Sequence, residues 1–229
     1  MQWQQAPISI QMPVWGTNRG KRLLMKRVDS ASLCLLFTVR GDMSDTSRLT
    51  IVRFSVDDLY AHETELGQLI HDCVHAGASI GYVLPYELAD GIAFWSGKIA
   101  NSMNGGKLVL LVAFLDGAIV GTAQLDYDTN PNQPHRAEVR KLMVHPDYRR
   151  EGIGRALMSA IEIEARKLDR SLLTLDTRSG DSAEPLYVSL GYQVSGVIPG
   201  YCIDAHSGEL DSTTIMYKQL EMEKAGSGL

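Results

Sequence analysis

Leu142-Met143-Val144-His145-Pro146-Asp147-Tyr148-Arg149-Arg150-Glu151-Gly152-Ile153-Gly154-Arg155-Ala156-Leu157 passes from a β-rich run into a turn, and the turn opens a helix between two glycines. A strand–turn–helix of this kind leaves backbone N–H groups free at the helix N-terminus, where they and the helix dipole suit a phosphate or pyrophosphate. Gly152 and Gly154 allow a ligand close to the backbone, and Arg149, Arg150 and Arg155 add positive charge. The glycines could equally do no more than shape the turn. The spacing is not the dinucleotide fingerprint, because the third glycine of Gly-x-Gly-x-x-Gly would fall at Leu157, and the lysine and spacing of a P-loop are missing.

On either side of this stretch the pattern is regular. Ile153, Ala156, Leu157, Ala160, Ile161, Ala165 and Leu168 recur at helical spacing. Arg136 to Val144 reads as a strand, and Asp116-Gly117 between the β-rich runs Leu108–Phe114 and Ala118–Leu125 predicts a hairpin. Upstream, Leu49 to Phe54 reads as a strand. Ser55 then caps a helix, with Asp58 as its capping-box partner and Leu59, Leu66, Leu69, Ile70, Cys73 and Val74 as its apolar face. A second helix follows Pro85 and ends at Asn104-Gly105-Gly106. Downstream come a strand over Leu172–Asp176, a short helix over Ala183–Leu190 closed by Gly191, a strand starting at Tyr192–Val197, and a last strand over Ser212–Tyr217. The order β-α-α-β-β-β-α-β-α-β-β predicts a mixed α/β domain.

Composition narrows the function classes. A net charge of −5 over 229 residues argues against a nucleic-acid partner. Cys34, Cys73 and Cys202 are odd in number and lack C-x-x-C spacing, which predicts reduced thiols in a cytoplasmic setting and no zinc site. The longest apolar run, Leu108 to Leu115, is too short for a bilayer, so no membrane partner is expected. His71 and His75 stand four apart on a predicted helix but have no third ligand beside them, so a solvated face is expected and no metal. His145, next to Pro146, reads as a turn residue. Residues 1–42 lack the periodic pattern and are expected to be a disordered extension, with the domain at 43–229 and Met43 an alternative start.

Two blocks carry a resemblance. Arg149-x-x-Gly152-x-Gly154, led in by Val144-His145-Pro146, and Ala183-Glu184-Pro185-Leu186-Tyr187-Val188-Ser189-Leu190-Gly191-Tyr192 resemble the signature blocks of the GCN5-related N-acetyltransferases (GNAT). The likeness covers Leu49 to Lys218. It implies the GNAT fold, a central mixed, largely antiparallel, twisted sheet of about seven strands with a splayed parallel pair and helices on both faces. It implies acetyl-coenzyme A as co-substrate. Leu142, Met143 and Val144 would lie along the pantetheine arm, and Arg149, Arg150, Glu151, Gly152, Ile153, Gly154 and Arg155 around the pyrophosphate. The family's asparagine before the second block is absent from Arg178-Ser179-Gly180-Asp181-Ser182, which leaves Ser182 as a partial substitute. Gly77–Tyr82, Arg136–Val144, Leu175-Asp176-Thr177 and Pro199–Cys202 further resemble the tabtoxin-resistance acetyltransferases, which implies a small amine acceptor, amino-acid-like, of the toxin or antibiotic kind.

Acetyl transfer needs a deprotonated amine, a polarised thioester and a protonated leaving thiolate. That resemblance puts acid/base roles on Glu138 and Asp176. Both sit on predicted strands, where burial would raise a carboxylate towards the working pH. Which of the two is the base stays open, as does the plainer reading that Glu138 pairs with Arg136, Arg140 or Lys141 and that Asp176 caps its strand. The resemblance makes Tyr187 the candidate proton donor or hydrogen bonder to the coenzyme sulfur, the plainer reading being an aromatic packed in the core of its short helix. Acceptor choice is expected in Gly77–Tyr86, the Asp128–Pro134 loop and Pro199–Ser207; Tyr82 and Trp95 are candidate pocket walls, though core packing explains them as well. A coenzyme-binding sensor without turnover and a protein acetyltransferase are the alternatives. The oligomeric state is not legible in the sequence.

Overall fold

The computed structural model describes residues 49–222 and, before them, the backbone of three two-residue strands, β1 (Leu23–Leu24), β2 (Cys34–Leu35) and β3 (Thr38–Val39). The rest of the expected 1–42 extension, and the proposed start at Met43, lie outside the described residues. The other strands are β4 (Leu49–Phe54), β5 (Leu108–Leu115), β6 (Ala118–Asp126), β7 (Arg136–Val144), β8 (Leu172–Arg178), β9 (Gln193–Ile203) and β10 (Leu210–Gln219). They form one sheet in the order β2-β4-β5-β6-β7-β8-β10-β9. The two residues of β2 only extend its edge, so the body of the sheet has the seven strands expected. All neighbours are antiparallel except β7 and β8.

Helices cover both faces. On one, α5 (Ile153–Lys167) lays Ile153, Leu157, Ile161 and Ala165 against Val109, Leu111, Leu125 and Leu173. On the other, α2 (Glu63–His75) lays Leu66, Ile70 and Val74 with Trp95 and Ile99 against Leu110 and Val112. Because β5 is sandwiched between the two layers, Leu108 through Ala113 are all buried, and its sequence is a continuous apolar run instead of an alternating one. The Glu164 carboxylate enters this packing at 2% side-chain exposure, held by Arg53 at 2.9 Å and Lys167 at 2.7 Å.

Three elements differ from the sequence reading. The first helix breaks at His62 into α1 (Val56–Ala61) and α2, although the Ser55–Asp58 capping box forms as expected. The second is α3 (Leu88–Ala93) and α4 (Ala100–Asn104) joined by a π-helical segment, Phe94–Ile99. Trp95 lies in that segment fully buried, its indole N–H donating to the Leu66 carbonyl at 2.8 Å, so it is a core residue and not a pocket wall. β9 runs on through Pro199 and Gly200 to Ile203, as an exposed edge strand.

Two irregularities shape the centre of the sheet. β7 and β8 pair only through Arg136–Leu172, Ala137–Leu173 and Glu138–Thr174, then diverge. Opposite β6, the register of β7 shifts between Arg140 and Met143, and Lys141 within that bulge has φ +49°.

Candidate active site

A cavity of roughly 990 Å³ opens where β7 and β8 part. One end of it is the turn from Val144 into α5. Gly152 sits there as the helix N-cap with φ +86°, and no side chain caps the helix. The first backbone N–H groups of a helix have no intrahelical partner, so this end offers donors and a positive dipole to an anion. A Cβ built on Gly152 meets nothing within 4 Å, so the space before it is open, as a cradle for a phosphate must be. Gly154 serves another purpose. Its Cβ would come within 3.2 Å of Leu186, so it lets α5 and α6 (Glu184–Ser189) close together at the cavity wall. Arg149 donates to the Val144 carbonyl at 3.3 Å, and Arg155 to the Ser189 hydroxyl at 2.7 Å. Leu142, Met143, Val144, Arg149, Arg150, Gly152, Ile153, Gly154, Arg155 and Ser182 all line the cavity. Glu151, the remaining member of the expected set, lies exposed in the turn and does not line it.

Glu138, Asp176 and Tyr187 share the same wall. The burial anticipated for the two carboxylates is absent. The Glu138 side chain is 38% exposed, 3.9 Å from Arg140, which itself pairs more closely with Asp126 at 2.9 Å; Asp176 is exposed. The divergence of β7 and β8 explains this: past Glu138 the two strands no longer pair with each other, and each is open on the side facing the gap. Tyr187 is buried, and that burial, together with the nearby Asp176 and Asp181 charges, raises its phenol well above the ordinary range. It therefore stays protonated and can donate.

Behind the turn, His145 lies 3.3 Å from Asp72, whose carboxylate also meets His71 at 3.0 Å. Burial opposes that charge, but hydrogen bonds from His71, Gln68 and His145 outweigh it and hold Asp72 below its usual range. His145 also accepts the Asp147 N–H at 3.3 Å, which makes it a turn residue. His71 and His75 stack on each other at 4.2 Å, and the described residues hold no metal-ligating cluster. Cys73 packs beneath Val144, and burial pushes its thiol up to about 11.

The other end of the cavity is walled by the segment after α2, from Ala76 to Gly81, and by Tyr201 and Cys202 of β9. Both lie in segments expected to choose the acceptor. The third, Asp128–Pro134, leads into the N-terminal end of β7, away from the turn, and forms no part of the wall. Two residues that the sequence reading missed organise this end. Arg178 donates to the Gly77 carbonyl at 3.1 Å and pairs with Asp204 at 2.7 Å, Asp181 at 3.3 Å and Asp211 at 3.5 Å, tying three rim segments to β8. Lys141, from the bulge, donates to the Ile80 carbonyl and stands 5.4 Å from the ring of Tyr82. Neither has a sequence signal beyond its charge.

Residues 106–194 match the family model described as an acetyltransferase (GNAT) domain. An uncharacterized N-acetyltransferase of Azospirillum brasilense is 31% identical over 145 residues, covering 62% of this chain and 82% of that protein. A phosphinothricin acetyltransferase of the GNAT superfamily from Sinorhizobium meliloti, solved with acetyl-coenzyme A, superposes with a TM-score of 0.62 at 20% identity, over 79% of this chain and 95% of its own. A ribosomal-protein-alanine N-acetyltransferase from Brucella melitensis gives 0.60 at 24% identity, over 74% and 99%. No helix among the described residues is long and apolar enough to cross a membrane. A splayed β7–β8 pair, an uncapped glycine turn at its mouth, and relatives of this identity and coverage have one common explanation: the chain belongs to the GCN5-related N-acetyltransferases and is an acyltransferase.

Proposed function

We propose that this enzyme transfers acetyl from acetyl-coenzyme A to the amine of a small, amino-acid-like molecule, by direct attack in a ternary complex. The observation that carries the reading is that one cavity is lined by the turn at Gly152, by Gly77–Gly81 and Tyr201, and by Glu138, Asp176 and Tyr187. In this reading the pyrophosphate rests on Arg149 to Arg155, and the pantetheine arm follows Leu142 to Val144 into the gap between the strands. Glu138 takes the proton from the ammonium, directly or through a water, with Asp176 beside it. The amine attacks the thioester carbonyl, the C–S bond breaks, and the Tyr187 phenol protonates the thiolate. The half-exposed carboxylates suit a proton that must finally reach solvent. The sequence segments Gly77–Tyr82, Leu175-Asp176-Thr177 and Pro199–Cys202, read as resembling the tabtoxin-resistance acetyltransferases, are what points to an acceptor of toxin or antibiotic type.

The test is thiol release from acetyl-coenzyme A across a panel of amino acids, amino-acid amides, polyamines and aminoglycosides, beside calorimetric titration of the coenzyme. Turnover with a small amine supports the reading. Tight coenzyme binding with no turnover on any member would replace it with a sensor role, and turnover on peptides alone with a protein acceptor.

A further inference from the structure

Away from the coenzyme turn, three cations stand in the cavity wall: Arg140, Lys141 and Arg178. Two are already neutralised, Arg140 by Asp126 at 2.9 Å and Arg178 by Asp204 at 2.7 Å. Lys141 makes no ion pair among the described residues. Its ammonium has three donors, and the Ile80 carbonyl takes one. The rings of Tyr82 and Phe94, at 5.4 and 5.8 Å, stabilise the cation without neutralising it. Asp176, across the gap on β8, is near enough to favour the charge, yet no ion pair forms. Among the described residues the wall thus presents one cation without an ion pair, Lys141 of β7, and a carboxylate without one, Asp176 of β8. A group carrying both charges in the reverse arrangement fits such a pair. A dianionic phosphate does not, because it would face one cation and be repelled by Asp176.

We infer that Lys141 receives a carboxylate of the acceptor, so that the substrate is a zwitterionic amine held between Lys141 and Asp176. This rests on the proposed function and narrows it: Lys141 is a specificity-determining residue, and amines without an acidic group are poorer substrates. The bulge matters to it. In a regular strand the register would be fixed by β6, whereas the extra residue re-aims the chain at Lys141.

The experiment uses the full chain with saturating acetyl-coenzyme A. L-amino acids are compared with their own carboxamides in wild type, Lys141→Met and Lys141→Arg. The amide's amine differs in intrinsic reactivity, so the reading is the change between variants in the acid-to-amide ratio of kcat/KM. Loss of one charge-assisted hydrogen bond corresponds to about a tenfold to hundredfold fall in that ratio. Lys141→Met shows this fall, through KM, and Lys141→Arg keeps the ratio within a few-fold. Burial, with Arg140 on the same strand and Lys98 on the π-helical segment, pulls the Lys141 ammonium down to about 8 against the pull of Asp176. The wild-type ratio therefore falls relative to Lys141→Arg as the pH passes 8. An unchanged ratio in a folded Lys141→Met protein overturns the inference. Should that variant not fold, identical pH profiles for wild type and Lys141→Arg between pH 7 and about 9.5 overturn it as well. Turnover on acids and amides with that ratio unmoved between the variants sinks the inference alone. Absence of turnover on acids, amides and polyamines together sinks the proposed function, and the inference with it.

Discussion

At the scale of single residues, the proton acceptor is the sharpest question. An ammonium has no lone pair with which to attack, and a positioned base contributes about 10²–10⁴-fold. Glu138→Gln keeps the shape and removes the base, so turnover falls by about that range while coenzyme affinity stays, read by steady-state kinetics and titration. Asp176→Asn is the competing variant. Should it alone lose turnover, the base is Asp176. Should neither lose it, the amine gives its proton to bulk water and the carboxylates only orient the acceptor. The sequence placed both carboxylates on strands, as they are, but did not give their surroundings. Strand placement suggested burial, whereas β7 and β8 stop pairing beyond Glu138 and Thr174 and leave both carboxylates open. Lys141 and Arg178 were illegible for a related reason. A positive φ in mid-strand and a guanidinium that gathers three loops are products of tertiary packing, and neither leaves a pattern at fixed spacing.

At the scale of elements, close approach depends on glycine where two helices cross. A Cβ on Gly91 would stand 2.7 Å from the Gly67 carbonyl oxygen, a backbone atom that cannot swing aside. Gly91→Ala should therefore destabilise the fold by about 1–3 kcal/mol, the usual range for overpacking, measured by denaturant unfolding. At the start of α5 the expectation is reversed in kind. Gly152→Ala adds a methyl in open space, at φ +86°. It should cost about 1–2 kcal/mol of backbone strain and, beyond that, weaken coenzyme binding, since the methyl occupies the cradle. Unaltered affinity in a folded variant would remove the turn from the coenzyme site. The elements themselves were largely legible. The Ile153–Leu168 stripe gives α5, and Asp116-Gly117 gives the β5–β6 hairpin. The break at His62 was hidden because the apolar face continues across it. The π-helical turn was hidden because six residues, Phe94–Ile99, are too few for its wider period to stand out from the helical one.

At the scale of the whole molecule, the chain before Leu49 contributes, among the described residues, a two-residue edge pairing of β2 to β4 and the β1–β3 pair, of which β3 also lies against β4. We propose that the catalytic domain is complete from Met43. A chain starting there should bind acetyl-coenzyme A as the full chain does and melt within a few degrees of it, with calorimetry and thermal unfolding as the checks. A large loss in either would mean that the leading segment packs on the domain.

The parting of β7 and β8 after three residue pairs has a mechanical meaning. The sheet is two plates joined at a short seam, one carrying β4 to β7 and the other β8 to β10. Their angle is set by that seam and by what lies between them. A coenzyme arm lodged in the gap would act as a wedge, borrowing the rungs that the strands forgo. The amides of β7 past Glu138 should then exchange with deuterium faster than those at the seam in the empty enzyme, and slow when the wedge is in place.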